Sequence, residues 1–212
     1  LRSPSQNYNL SLTTTTEPAK HWYWQEGVLT CKLLSQWSHG FFTRSHSPQT
    51  PKDLQKYFKC ASRDADFSAK AYYAKQVHGD RIVEISEISD ELPEADGVFI
   101  TPDRIQADVS VWTCSADCVP ILIGDRTLQT VAAIHGGWRG TAKGILIKAI
   151  KKFKENGSNL TNLRVALGPA ISGASYQVQT EVADLVLTTI KDPVGVFPDS
   201  TDSSDGGHCR LD

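Results

Sequence analysis

The hexapeptide His135-Gly136-Gly137-Trp138-Arg139-Gly140 puts an imidazole, a guanidinium and three glycines into one short segment. Glycines permit positive φ and close backbone approach, and an arginine fork beside free amides suits a phosphate or a carboxylate. The same residues also read as a tight turn with an incidental arginine. Cys114-Ser115-Ala116-Asp117-Cys118 is a second concentration of reactive types. Its spacing is not that of a zinc knuckle, so one of its cysteines rather than both is expected to hold a metal. Cys114 fits a strand pattern as a small buried hydrophobe, whereas Cys118 lies past a turn beside Asp117. His78 closes another β-prone run, as His135 does. If these strand ends meet on one rim, they assemble two imidazoles and a thiolate with a fourth position open, the arrangement of a catalytic zinc. Asp117 is then a candidate proton carrier, or equally the cap of its turn.

The elements that must position these residues follow from pattern. His21 to Thr43 mixes aromatic and polar residues and predicts a hairpin-like start, and Lys52 to Lys59 one short helix with Leu54, Tyr57 and Phe58 inward. Ala71 to Val77 and Arg81 to Ile85 are β-prone runs around His78-Gly79-Asp80, which puts His78 at a strand end. Val98 to Thr101, Val109 to Cys114, Val119 to Ile123, Thr130 to His135 and Arg164 to Leu167 predict further strands, with Pro120 marking an edge strand or a strand start. Lys143 to Asn156 repeats apolar residues at helical spacing and meets a C-cap at Gly157, and Gln177 to Ile190 predicts a second amphipathic helix with Val178, Val182, Leu185, Val186 and Thr189 inward. Leu1 to Lys20 is polar and non-periodic and reads as a mobile arm, leaving 21–212 as one α/β catalytic domain. The chain ends on Arg210, Leu211 and Asp212 as if a strand were beginning, which suggests a C-terminal truncation.

Composition narrows the partners. The 212 residues are 40% apolar and 22% charged with a formal net charge of -2, so no whole-chain basic field draws in nucleic acid or an anionic membrane. No apolar run approaches the roughly 20 residues of a membrane helix. Five cysteines, an odd number, favour reduced thiols in a cytoplasm. A small-molecule partner is expected.

Taken in order, Gln76-Val77-His78-Gly79, Ala95-Asp96-Gly97, Ser115-Ala116-Asp117-Cys118-Val119-Pro120, His135-Gly136-Gly137-Trp138-Arg139-Gly140 and Gly168-Pro169-Ala170-Ile171-Ser172-Gly173 resemble the multicopper polyphenol oxidoreductase family. These laccase-domain proteins are also known as a type of purine nucleoside phosphorylase. His39-Gly40-Phe41-Phe42-Thr43-Arg44 is similar to the family's N-terminal motif, and the resemblance runs from about Trp37 to Tyr176. It implies that His78, Cys118 and His135 are the metal ligands. It also implies an α/β fold of mixed β-sheets in a sandwich with outer helices, similar to the cysteine deamidase toxin-like fold. The reactions it implies are phosphorolysis of adenosine, inosine and S-methyl-5'-thioadenosine to free base and ribose 1-phosphate, together with adenosine deamination. Arg139 with the amides of Gly136 and Gly137, joined by Arg44, is the candidate phosphate site. Cys118, Asp117 and His39 are the candidate catalytic residues, and His39 and Asp96 rest on the family motifs alone.

Zinc is the expected ion, with copper as the alternative. A laccase in the usual sense needs a multinuclear copper cluster fed by many histidines. The chain has six, and His21, His39, His46 and His208 are scattered. A zinc-acidified water suits deamination, as in the zinc deaminases. The competing readings are a thiol hydrolase with Cys118 as nucleophile and a His as base, a copper-dependent polyphenol oxidoreductase, and a non-catalytic module that binds a ligand at the metal rim.

Overall fold

A computed structural model describes residues 21–57, 70–101, 109–189, 196–198 and 208–211. The strands, in chain order, are β1 (Trp22–Gln25), β2 (Val28–Cys31), β3 (Lys70–Tyr72), β4 (Ile82–Glu84), β5 (Gly97–Ile100), β6 (Val109–Val111), β7 (Val119–Asp125), β8 (Val131–Gly136), β9 (Leu163–Leu167), β10 (Gln177–Gln179), β11 (Val196–Pro198) and β12 (His208–Leu211). The α-helices are α1 (Pro51–Leu54), α2 (Trp138–Ala142), α3 (Ile145–Glu155) and α4 (Thr180–Leu187). The expected polar arm, Leu1 to Lys20, lies outside the described residues.

The centre is a five-stranded sheet in the order β4-β5-β8-β7-β9, with β4 and β5 parallel and the other pairs antiparallel. β5 is buried along its whole length and β8 along all but its first residue, which is why both read as near-continuous apolar runs rather than as alternation. α3 lays Ile145, Ala149 and Phe153 on one face of this sheet, against Phe99, Ile121, Ile123 and Ile134. Phe153 meets Phe99 edge to face at 4.9 Å. Each such fully buried side chain stabilises the fold by about 1.5–3 kcal/mol. Residues of the opposite register, Val98 and Ile100 on β5 and Leu122 on β7, pack against the smaller β3–β6 ladder and the β1–β2 hairpin. The protein is therefore α/β with mixed sheets.

α3 stops where the sequence predicts. Gly157 takes φ +90°, its N–H reaches the Lys154 carbonyl at 3.0 Å, and the Ser158 N–H reaches the Phe153 carbonyl at 3.0 Å. Its start differs from expectation. Gly144, at φ +75°, separates a five-residue helix, α2, from α3.

Other expectations are corrected. The Ala71 to Val77 run is strand only through Tyr72, and β3 and β4 do not pair with each other: β3 joins β6 and β4 joins β5, both in parallel. His78 thus sits in a loop, not at a strand end. β7 is an interior strand between β8 and β9. It tolerates Pro120 near its start, where the proline carbonyl accepts the Gly168 N–H at 2.8 Å. The helix expected from Gln177 begins at Thr180, because Gln177 to Gln179 pair antiparallel with β12, the strand sensed at the chain's end. Ala183 and Val186 form its buried face, and Leu185 is exposed. α1 gives way to a 3-10 turn at Gln55–Tyr57, and Phe58 and Lys59 lie outside the described residues.

Candidate metal centre

The antiparallel β7–β8 ladder sets two of the three predicted ligands side by side. Pro120 pairs with His135 and Val119 with Gly136, so Cys118, the residue before β7, arrives next to the end of β8. His135 is buried at 3% exposure, Cys118 is half-buried and His78 is exposed. His78 comes from the loop between β3 and β4 with a left-handed backbone, φ +57°. One donor atom from each of the three lies within 4.8 Å of the others, and the two imidazoles meet edge to face with centroids 4.9 Å apart. Zinc bonds of about 2.0–2.3 Å place tetrahedral donors roughly 3.3–3.6 Å apart, so a modest contraction would close this set on an ion. Gly137 lies against all three: a Cβ there would stand 3.2 Å from His78 Cδ2, 3.3 Å from Cys118 Sγ and 3.5 Å from His135 Cε1.

Behind the ligands is Asp96, 1% exposed. Its Oδ1 accepts the His78 N–H at 2.9 Å and lies 2.8 Å from His135 Nδ1, while its Oδ2 accepts from the N–H groups of Gly79 at 2.7 Å and Val77 at 3.2 Å. Burial alone would raise the Asp96 carboxyl, but the His135 bond and the Gly79 and Val77 amides outweigh it and hold the group below the ordinary carboxylate value. A carboxylate partner requires His135 Nδ1 to carry the hydrogen, which frees Nε2 as a donor to metal. The Cys118 thiol is pushed up, first by burial and then by the charges of Asp117 and Asp96. That is the reverse of an activated nucleophile, and a bound cation would supply the missing positive charge.

The three ligands line an open cleft of about 500 Å³ together with Gln76, Cys114 and Asp117. Gln76 clamps its floor: its amide Nε2 donates to the Cys114 carbonyl at 2.7 Å, and its Oε1 accepts the Cys114 N–H at 2.7 Å. Cys114 is exposed, contrary to the buried role expected for it, because the strand ends at Val111. Asp117 is exposed, and its carbonyl accepts the Ile171 N–H at 2.9 Å, which ties down the 168–173 segment. Arg139 is exposed, with its guanidinium over the Trp138 ring at 4.3 Å, and no carboxylate pairs with it among the described residues. Tyr176 is half-buried beside both groups. Burial raises its hydroxyl, the Cys118 and Asp117 charges raise it further, and Arg139 opposes them.

His39 does not join this cleft. It lines a separate cavity of about 190 Å³ with Tyr23, Trp37 and Tyr57. Its Nε2 accepts the Cys31 N–H at 2.9 Å and its Nδ1 lies 2.9 Å from the Trp37 carbonyl, so its ring ties the end of the hairpin to the segment that follows it. Arg44 is exposed in a 3-10 turn and is not among the cleft-lining residues. Sequence reasoning missed Gln76 and Tyr176 and gave Asp96 no role. Asp96 did carry a signal, since a lone carboxylate entering the wholly apolar strand Gly97–Ile100 must find partners. Nothing in the sequence marks Tyr176.

Residues 38–212 match the family described as multi-copper polyphenol oxidoreductase laccase. A Synechocystis protein named purine nucleoside phosphorylase is 46% identical over 169 residues, covering 76% of this chain and 61% of that protein. A Rickettsia conorii protein of the same name is 31% identical over 156 residues, covering 71% of this chain and 59% of that one. The chain thus spans about three fifths of the length of these curated relatives. Among solved structures, YlmD from Geobacillus stearothermophilus superposes with a TM-score of 0.67 at 23% identity, covering 91% of this chain and 79% of that one. A Neisseria meningitidis protein superposes with a TM-score of 0.59 at 25% identity, covering 79% and 64%. With the motif order, the converged His-Cys-His set and the match over residues 38–212, the chain belongs to the multi-copper polyphenol oxidoreductase laccase family.

Proposed function

We propose that this cleft carries out phosphorolysis of purine nucleosides, releasing the free base and ribose 1-phosphate, at a zinc ion held by His78, Cys118 and His135. Adenosine, inosine and S-methyl-5'-thioadenosine are the substrates of this reading, and hydrolytic deamination of adenosine is its second activity. The observation that carries it is the convergence of two imidazoles and a thiol within 4.8 Å on an open cleft. The names of the Synechocystis and Rickettsia relatives support the substrate class. Zinc bound to such a set supplies Lewis-acid chemistry and acidifies water. It is favoured over copper electron transfer because the chain has six histidines and no methionine, the usual weak axial ligand of blue copper.

The chain's own groups take the remaining roles. Arg139, free of a carboxylate partner among the described residues, binds phosphate with the amides of Gly136 and Gly137, whereas Arg44, outside the cleft lining, takes no part. Phosphate attacks the anomeric carbon, the bond to the base breaks, and Asp117 on the cleft rim delivers a proton to the departing purine. The free thiols Cys31, Cys114 and Cys118 support a cytoplasmic setting.

Incubation with each nucleoside and inorganic phosphate, followed by ³¹P NMR and chromatography of the bases, tests the reading. Product should require phosphate, disappear on chelation, return with zinc and be absent from Cys118→Ala. Base release that ignores chelation but is abolished by alkylation of Cys118 would instead establish the thiol hydrolase. No turnover of any nucleoside by the zinc-loaded protein would leave a binding module.

A further inference from the structure

We infer that Asp96 is the positioning residue of this centre, one buried carboxylate that fixes the backbone of the His78 loop and the tautomer of His135 together. The inference deepens the metal reading above and rests on it for its effect on zinc.

Three consecutive amides, those of Val77, His78 and Gly79, converge on the two oxygens of Asp96 at 2.7–3.2 Å. Such a run of N–H groups is an anion-binding concavity, and here the chain fills it with its own carboxylate. The arrangement accounts for the backbone of His78. A non-glycine residue at φ +57° is disfavoured, and a loop released from Asp96 would relax toward negative φ and carry the imidazole off the site. Asp96 Oδ1 also meets His135 Nδ1 at 2.8 Å, within a pair that is nearly solvent-free. Its main chain completes the link: the His135 N–H donates to the Asp96 carbonyl at 2.7 Å and the Asp96 N–H to the Arg81 carbonyl at 2.9 Å. The two histidines come from elements 57 residues apart in sequence, and this carboxylate is hydrogen-bonded to both.

An asparagine cannot replace it. With its oxygen toward His78 and His135, its NH2 faces the Gly79 and Val77 N–H groups, donor against donor. Flipped, it forces His135 to present a lone pair at Nδ1 and to carry hydrogen on Nε2, the atom needed for metal.

The test begins on the wild-type, metal-free chain. Long-range ¹H–¹⁵N NMR should show His135 protonated at Nδ1 with Nε2 bare, and hydrogen exchange should show the Val77, His78 and Gly79 amides protected. In Asp96→Asn those amides should exchange at least about tenfold faster, and zinc affinity, measured by competition with a chromophoric chelator, should fall about 10- to 100-fold. An Nε2–H tautomer in the wild type, or amide protection and zinc affinity kept within about twofold in the variant, would overturn the assignment. If Asp96→Asn does not fold, the wild-type tautomer and amide protection still decide it. If the wild type takes up no metal, the metal reading fails while tautomer and exchange still judge Asp96.

Discussion

Gly137 stands where the side chains of His78, Cys118 and His135 meet, and a side chain there would crowd all three, so its part is steric rather than conformational. Its φ of -76° is open to any residue, but a Cβ would approach Cys118 Sγ and His78 Cδ2 more closely than carbon atoms ordinarily do. Gly137→Ala should therefore spread the ligand set without unfolding the strands behind it. We predict a loss of zinc affinity of about tenfold or more, with the melting temperature of the metal-free protein nearly unchanged. Isothermal titration and thermal denaturation on the same samples check this, and unchanged affinity would show that the ligands yield freely. Which glycine mattered was only half legible in the sequence. The Gly-rich hexapeptide marked a close approach, but its clustering suggested an anion, and only the fold shows that one of its glycines also packs against His78, Cys118 and His135.

At the scale of elements, the β7–β8 ladder fixes Cys118 and His135, and the turn joining those strands is held by a second buried carboxylate. Asp125 is fully buried, and its Oδ1 accepts the N–H groups of Thr127 at 2.7 Å and Leu128 at 2.9 Å. Burial would raise this carboxyl, but hydrogen bonding, led by the Leu128 amide, holds it below its ordinary value. A folded-state value below the unfolded one means that the unfolded chain binds more protons at acid pH. The group's contribution is then complete above about pH 4 and is lost as pH falls through the folded value. Asp125→Asn should be less stable than wild type by about 1–2 kcal/mol at pH 7, and the gap should narrow below about pH 4. Urea midpoints across that range measure it, and a constant gap would contradict the assignment. The apolar runs Val98 to Thr101 and Thr130 to His135 announced their strands because burial on both faces leaves no other solution. The pairing of Gln177 to Gln179 with β12 was not legible, because a three-residue strand gains its stability from a partner about thirty residues away.

At the scale of the molecule, the three candidate metal ligands come from two separate parts of the chain, the loop after β3 and the ends of β7 and β8. An ion that binds only the folded state stabilises it by mass action, by about 2.7 kcal/mol at a hundredfold excess over Kd. For a chain of this size that corresponds to a rise of about 5–10 °C in Tm. Chelation should reverse the rise, and Cys118→Ala should show none. The mixed α/β class was legible from strand spacing, and the family's motif order picked out His78, Cys118 and His135, the three residues that the fold brings together. The loop position of His78 was not, since its left-handed backbone depends on a carboxylate eighteen residues further along the chain. Metal analysis of the purified chain combined with X-ray absorption at the zinc edge decides whether His78, Cys118 and His135 hold an ion. One zinc per chain is expected, with one sulfur and two imidazole nitrogens in its coordination shell, and none in Cys118→Ala. A chain without stoichiometric metal, a shell without sulfur, or full occupancy in that variant would contradict it.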